Sequence, residues 1–232
     1  MKIYDILESL IDEGPHDPAI FKAIFLAGGP GSGKSYVANK ILSGQGLRPV
    51  NSDDVYEYLA SKGNLDLSDP MTVVSPVGQE VRDRAKKITG MRQDHYIDGR
   101  IGLIIDGTGK DPAKVKQQSD ELRKLGYETM MVYVNTSLEV AQKRNAGRKR
   151  RIPTDIVTNM WNKTQSNIMG FQQIFGAKNF HVVDNSGGLE DPNRAANFDQ
   201  VYKNVRSFLA SPPSSSKARK WIDQAHQSKK TT

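Results

Sequence analysis

The chain has 232 residues, 37% of them hydrophobic, so it can bury a full core, and its lack of cysteine excludes disulfides, thiolate metal sites and cysteine nucleophiles. It has neither a run of eighteen apolar residues nor an apolar signal segment, which predicts a soluble, cytoplasmic protein without a membrane span. The net charge of +7 is localised, because residues 143–151 hold six Lys or Arg and no acid, and residues 211–232 hold five against one Asp.

Residues 1–20 are predicted to form an amphipathic leader outside the main fold. Apolar side chains recur there at helical spacing: Ile3, Ile6, Leu7, Leu10 and Ile11. The Gly-Pro pair at residues 14–15 then ends the pattern. We expect a short helix from this segment.

Apolar runs alternate with helical stretches across residues 21–210, which we assign to one domain. Five of these runs are candidate strands: residues 23–26, 47–50, 102–105, 129–134 and 180–183. The alternation predicts an α/β fold, with a five-stranded parallel sheet and helices on both of its faces. Residues 211–232 follow as a basic tail behind a Ser- and Pro-rich linker, and we expect this tail to be either mobile or a short docked helix.

The segment AGGPGSGKS, residues 27–35, follows the first predicted strand and precedes a helical stretch, the two conditions that a P-loop requires. Glycines leave the backbone N–H groups free to wrap phosphates, and the helix N-terminus favours their negative charge. The pattern predicts a P-loop NTPase fold with an ATP site formed by Gly28, Gly29, Pro30, Gly31, Ser32, Gly33, Lys34 and Ser35. Lys34 is expected on the β- and γ-phosphates and Ser35 on Mg²⁺.

Two acids, Asp53 and Asp54, follow the second predicted strand in the segment PVNSDDVYEYL. Ligands of open α/β sheets bind at this carboxyl edge, where a carboxylate can accept the proton of an acceptor hydroxyl. The simpler alternative is that both acids cap the next helix, because Asp is favoured at helix N-termini.

Further candidate site residues follow later strands. Asp106 ends the third predicted strand, where it could hold Mg²⁺ through water or orient the acceptor. Asn185 follows the fifth strand, where it could contact the nucleotide base or simply occupy a turn.

The basic segment AQKRNAGRKRRIP, residues 141–153, places Arg144 and Arg148 four residues apart, on one face of the helix predicted to begin near Ser137. Guanidinium groups on that face could neutralise the charge of a transferring phosphoryl group, which predicts a basic helical lid. A solvated basic loop is the alternative.

Three segments resemble the kinase domain of phage polynucleotide 5′-hydroxyl kinases: FLAGGPGSGKS, VNSDDVY and LEVAQKRNAGRKRRIPTDIVTNMWNK. Two others, GLIIDGTGK and LRKLGYETMMVYV, resemble the zeta-toxin kinases, which phosphorylate a sugar nucleotide. The resemblance covers residues 22–185. It implies a kinase that uses ATP and Mg²⁺, with a hydroxyl acceptor on DNA, RNA or a nucleotide, or on a nucleotide sugar.

The resemblance also implies roles for single residues. Asp53 matches the aspartate that activates the acceptor hydroxyl, Arg148 matches the lid arginine on the transferring phosphate, and Arg144 matches the arginine one turn earlier. Thr108 matches a threonine near the acceptor. Tyr56 departs from the polynucleotide kinases, which have an arginine at this position for a nucleic-acid 3′-phosphate.

The leader raises a further possibility about the partners. It resembles the leaders that direct internal proteins of large tailed phages into the capsid and are cut after an I-x-E triplet, here residues 11–13. We therefore expect either a catalytically active kinase in the host cytoplasm, which could also be packaged, or a non-catalytic ATP-binding virion or assembly protein.

Overall fold

A computed structural model describes residues 14–148, 152–188 and 190–228. Its five strands form one parallel sheet in the order β2-β3-β1-β4-β5. The strands are β1 (Lys22–Ala27), β2 (Arg48–Val50), β3 (Leu103–Asp106), β4 (Glu128–Asn135) and β5 (Phe180–Asp184). All five predicted strands and the parallel arrangement are confirmed.

Ten α-helices connect and cover the strands in the described part of the chain. They are α1 (Lys34–Val37), α2 (Ser52–Lys62), α3 (Pro70–Val74), α4 (Pro76–Asp98), α5 (Pro112–Leu125), α6 (Leu138–Ala146), α7 (Thr154–Ser166), α8 (Ile168–Phe175), α9 (Pro192–Ala210) and α10 (Ser216–Ser228). One wider helical turn, Ala38–Leu42, extends α1, and short 3₁₀ turns lie at Gly14–His16 and Ala177–Asn179. Side chains of Asn51, Asp69, Ser75, Asp111, Ser137 and Asp191 cap six of the helices.

The two faces of the sheet bury two separate cores, because neighbouring residues of a strand point to opposite sides. On one face Ile24 and Leu26 of β1 pack with α1 and α9. On the other face Phe25 of β1 packs with α5, α8 and α10. Helices therefore cover both faces, as predicted, and both cores fix the carboxyl ends of the strands at one edge.

The C-terminal residues 211–228 pack against the domain. Ala218 of α10 is fully buried in the main core, and the Trp221 ring packs edge-on against Phe21 with centroids 5.6 Å apart. The linker is held at the opposite edge of the sheet from the P-loop, where the buried Lys22 ammonium pairs with Glu128 and donates to the Ser211 hydroxyl. The tail thus forms a docked helix as far as Ser228.

Two predicted segments, the leader and the basic lid, are only partly covered by the described residues. Of the leader predicted over residues 1–20, residues 1–13 lie outside the described residues, as do residues 149–151 of the basic segment. The leader boundary at residue 20 is wrong, because Ala19 is fully buried in the core with Ile24 and Leu26 of β1. Within the described chain no helix is both long enough and apolar enough to cross a membrane.

The predicted position of Arg148 is wrong in one respect. Helix α6 ends at Ala146 and Gly147 follows as its C-cap, so Arg148 lies beyond the helix and not on the same helical face as Arg144.

Candidate active site

The predicted P-loop lies between β1 and α1 at the carboxyl edge of the sheet. Gly31 and Gly33 have φ angles of +76° and +88°, a region that favours glycine. A Cβ added at Gly31 would lie 2.3 Å from the carbonyl oxygen of Ala141, so the loop could not pass α6 with any other residue. The Ser32 N–H donates to the Gly29 carbonyl at 3.2 Å, and the loop leads directly into the N-terminus of α1, the arrangement that favours bound phosphate.

Lys34 is folded back across this loop. Its Nζ donates to the carbonyl oxygen of Gly28 at 3.0 Å. Burial lowers the pKa of the ammonium, the Asp106 carboxylate opposes that shift, and the nearby Arg148 guanidinium adds to it. A phosphate group would supply the negative charge that this partly desolvated cation lacks.

The far side of the P-loop rests on a hydrogen-bonded brace formed by Asn185, Arg144 and Arg194. The Asn185 amide donates to the Ser32 carbonyl at 2.7 Å, and its oxygen accepts from Nε and Nη2 of Arg194 at 3.1 and 2.9 Å. Arg144 donates to the Ser32 carbonyl at 3.3 Å and to the Asn185 carbonyl at 2.9 Å. Burial, followed by the nearby Arg194, lowers the pKa of Arg144.

Three carboxylates meet opposite the P-loop. Asn51 caps α2 by accepting from the backbone N–H of Asp53 at 2.9 Å, and its Nδ2 donates to Asp54 at 3.2 Å and to Asp106 at 3.4 Å. Burial raises the pKa of Asp106, Lys34 opposes this, and Asp53 and Asp54 increase it. Burial also raises the pKa of Asp54, with a further contribution from Asp53.

A cavity of about 980 Å³ brings the predicted donor and acceptor residues together. Its lining includes the P-loop from Gly29 to Ser35 together with Asp53, Asp54, Asp106, Thr108 and Arg148. Two predicted nucleotide ligands, Arg144 and Asn185, instead direct side-chain donors to the backbone of the P-loop. The structure therefore places them as supports of the loop.

A Mg²⁺ ion fits the donor set at the carboxyl edge of β3. The Oδ1 atom of Asp106 is buried and has no hydrogen-bond partner among the described residues, and the Ser35 hydroxyl lines the same cavity. Mg²⁺ usually takes only one or two protein oxygens beside water and substrate phosphates, so this pair is sufficient. No cluster of three or more acidic, His or Cys ligands is found within the described residues.

The sequence does not distinguish two arginines that matter to the site from the other basic residues of their helices. Arg194 supports Asn185 from α9, and Arg82 of α4 lines the cavity beside Tyr56. Both arginines lie in helices that mix charged and apolar residues. In such a helix the sequence does not distinguish an arginine that contacts another element from an exposed one. Only the packing of the helices identifies them.

Known proteins resemble this chain in sequence and in structure. Adenylate kinase isoenzyme 1 of Sus scrofa is 31% identical over 126 residues, which is 53% of this chain and 62% of that enzyme. The chain thus spans about three fifths of the length of this curated relative.

Two solved structures share the fold. The PezAT toxin–antitoxin system of Streptococcus pneumoniae gives a TM-score of 0.55 at 14% identity, covering 91% of this chain and 99% of that one. The Pnkp1/Rnl/Hen1 RNA repair complex gives a TM-score of 0.50 at 21% identity, covering 66% and 46%.

The family comparison covers most of the domain and includes every site residue described above. The model of the zeta toxin family matches residues 11–194, from before β1 to the start of α9. This P-loop kinase fold and this extent of match confirm the resemblance to zeta toxins, whereas the resemblance to the RNA repair complex concerns the fold alone. The chain belongs to the zeta toxin family.

Proposed function

We propose that the protein is a phosphotransferase that moves the γ-phosphoryl group of ATP to a hydroxyl of a nucleotide-class acceptor. The observation that carries the proposal is the shared cavity, which Asp53, Lys34 and Arg148 line together and in which the charges of Asp53 and Arg148 both act on the Lys34 ammonium. A nucleotide-binding switch would need the P-loop but no carboxylate aimed at the bound phosphates.

Asp53 is the proposed general base. Its carboxylate lies close enough to influence the pKa values of Lys34, Asp54 and Asp106, so it belongs to the same group of charges. It would take the acceptor hydroxyl proton while the oxygen bonds to the γ-phosphorus. The bond from that phosphorus to the bridging oxygen breaks at the same time, and ADP leaves.

Cations would stabilise the charge that spreads over the phosphoryl oxygens. Lys34 contacts the β- and γ-phosphates in this proposal, and the exposed Arg148 closes over them from the lid. Ser35 and Asp106 would hold Mg²⁺, which neutralises charge on the two terminal phosphates when it is bound. Thr108 and Asp54 would position the acceptor beside Asp53.

The class of the acceptor follows from the family and from the charges of the site. Membership of the zeta toxin family favours a nucleotide or nucleotide sugar. A 5′-hydroxyl end of DNA or RNA is the second candidate, because six Lys or Arg fall within residues 143–151, and Arg148 of this segment lines the cavity. A non-catalytic role in a phage virion is the rival function, and it predicts that Asp53 is dispensable.

Transfer of label from γ-labelled ATP separates these functions. The wild-type protein and Asp53→Asn would be incubated with Mg²⁺ and separate pools of nucleotides, nucleotide sugars and 5′-hydroxyl oligonucleotides. We expect one pool to become labelled, with the rate falling by about 10²- to 10⁴-fold in the variant. Asp94→Asn, an exposed acid of α4, is the matched control. ADP release without any labelled acceptor, equal in wild type and Asp53→Asn, would contradict the kinase proposal.

A further inference from the structure

We propose that Arg82 is a specificity-determining residue that binds a phosphate group already present on the acceptor. The acceptor would then be a small phosphorylated molecule with a free hydroxyl, and its own phosphate would remain unchanged in the reaction. This inference rests on the proposed function, since it concerns the acceptor half of the same cavity.

The position of Arg82 is fixed by the packing of α4 on α2. Val55 and Tyr56 of α2 form a small core with Ala85 of α4, and Tyr56 is only 1% exposed. The Arg82 guanidinium carbon lies 4.7 Å from the centre of the Tyr56 ring, within the range of a cation–π contact. A planar cation held on a buried ring is ordered before any ligand arrives, so it loses little entropy on binding.

The buried Nε donor of Arg82 is unpaired within the described part of the chain. Within the described residues this side chain forms neither a hydrogen bond nor an ion pair. Four acids, Asp53, Asp54, Glu57 and Asp66, line the same cavity without pairing with it. Buried polar atoms are nearly always hydrogen-bonded, so an unpaired guanidinium facing a cavity points to a ligand.

Two of the other cations that line the cavity, Lys34 and Arg148, are assigned to the ATP end, and a third, Lys110, lies in the segment after β3. Lys34 lies across the P-loop, and Arg148 is close enough to depress its pKa. Arg82 comes instead from α4, beside Tyr56 of the helix that carries the catalytic acid. A guanidinium held against α2 could meet a second anion, and phosphate oxygens match its fork of parallel N–H donors.

The surrounding charge favours a small acceptor over a polynucleotide. Among the described lining residues five acids slightly outnumber four cations, which disfavours a phosphodiester chain with many charges, whereas one guanidinium can neutralise one phosphate group. The acceptor hydroxyl would then be directed to Asp53 by the contact between its phosphate and Arg82. Residue 82 would set the affinity for the acceptor and leave the affinity for ATP unchanged.

Calorimetric binding to the full chain tests this inference without requiring phosphoryl transfer. The P-loop would first be saturated with Mg²⁺ and a non-hydrolysable ATP analogue, and each of the four nucleosides would be compared with its 5′-monophosphate. We expect at least one monophosphate to bind about ten- to a hundredfold more tightly than its nucleoside. Arg82→Ala should abolish this difference, and Arg82→Lys, which keeps the charge but loses the fork, should reduce it.

Controls separate failure of the inference from failure of the proposed function. Arg84→Ala changes an exposed arginine of α4 that does not line the cavity, and it should behave as wild type. Equal binding of nucleoside and monophosphate, or a preference that survives in Arg82→Ala, would overturn the inference. An Arg82-dependent preference for a short 5′-hydroxyl oligonucleotide over every monophosphate would overturn the small acceptor. Loss of label transfer alone would overturn only the kinase proposal.

Discussion

Replacing Asn185 by alanine should weaken both the fold and the ATP site. The change removes one hydrogen bond to the Ser32 carbonyl and two from Arg194, a residue that is only 8% exposed. A buried donor left unsatisfied costs about 1–3 kcal/mol, and more when it is charged. Because Ser32 keeps its contact with Arg144, most of the loss comes from Arg194, and we expect Asn185→Ala to destabilise by about 2–4 kcal/mol.

A double-mutant cycle measured by urea unfolding isolates this interaction. Arg194→Met keeps an apolar side chain near the rings of Phe198 and Tyr36 but removes the guanidinium. Once that cation is gone, Asn185→Ala leaves no buried charge unpaired, so the double variant should be more stable than the sum of the single effects by about 1–3 kcal/mol. If the two single effects on the free energy of unfolding simply add, the proposed interaction between Asn185 and Arg194 is wrong. The exposed Asn193→Ala should change stability by less than about 0.5 kcal/mol.

Three further perturbations test other parts of the site and the docked tail. Gly31→Ala should lower ATP-analogue affinity by at least about tenfold in titrations, since its Cβ would lie 2.3 Å from the Ala141 carbonyl and displace the loop. Asp106→Asn should raise the melting temperature of the nucleotide-free protein at pH 8. Burial raises the pKa of Asp106, so the ionised form destabilises the fold above that pKa and the penalty disappears as pH falls through it. Glu128→Gln should destabilise by about 3–5 kcal/mol in urea melts, because Lys22 is 1% exposed and loses its charge partner.

The sequence predicted the sheet well because each strand is a compact apolar run bounded by glycine or polar residues. The apolar run that ends in Phe25, Leu26 and Ala27 leads directly into the P-loop glycines, so both the strand and the phosphate site follow from local pattern. Asp53 and Asp106 were also predictable, since the carboxyl ends of parallel strands meet at one edge. These predictions needed only strand order along the chain and no contact between distant side chains.

The sequence did not predict the features of the site that depend on packing between distant segments. Arg144 and Arg148 looked equivalent because they lie four residues apart, as on one face of a helix. Helix α6 ends between them, so Arg144 contacts the backbone of the P-loop whereas Arg148 lines the cavity. Asn185 is separated from Ser32 by 153 residues, so no local pattern connects the two. The same limit applies to Arg82, whose contact with Tyr56 depends on the angle at which α4 crosses α2.

Several polar groups of the site are buried at a cost in free energy that bound ligands would reduce. Burial lowers the pKa of Lys34 and raises that of Asp106, and Arg82 has a buried donor without a partner. Each of these penalties opposes folding, yet each would be relieved by phosphate, Mg²⁺ or an anionic acceptor. Because the three groups lie in one cavity, the folded chain would be stabilised most with the proposed donor and acceptor both bound. The same groups that lower the stability of the free protein would thus supply the proposed preference for charged ligands.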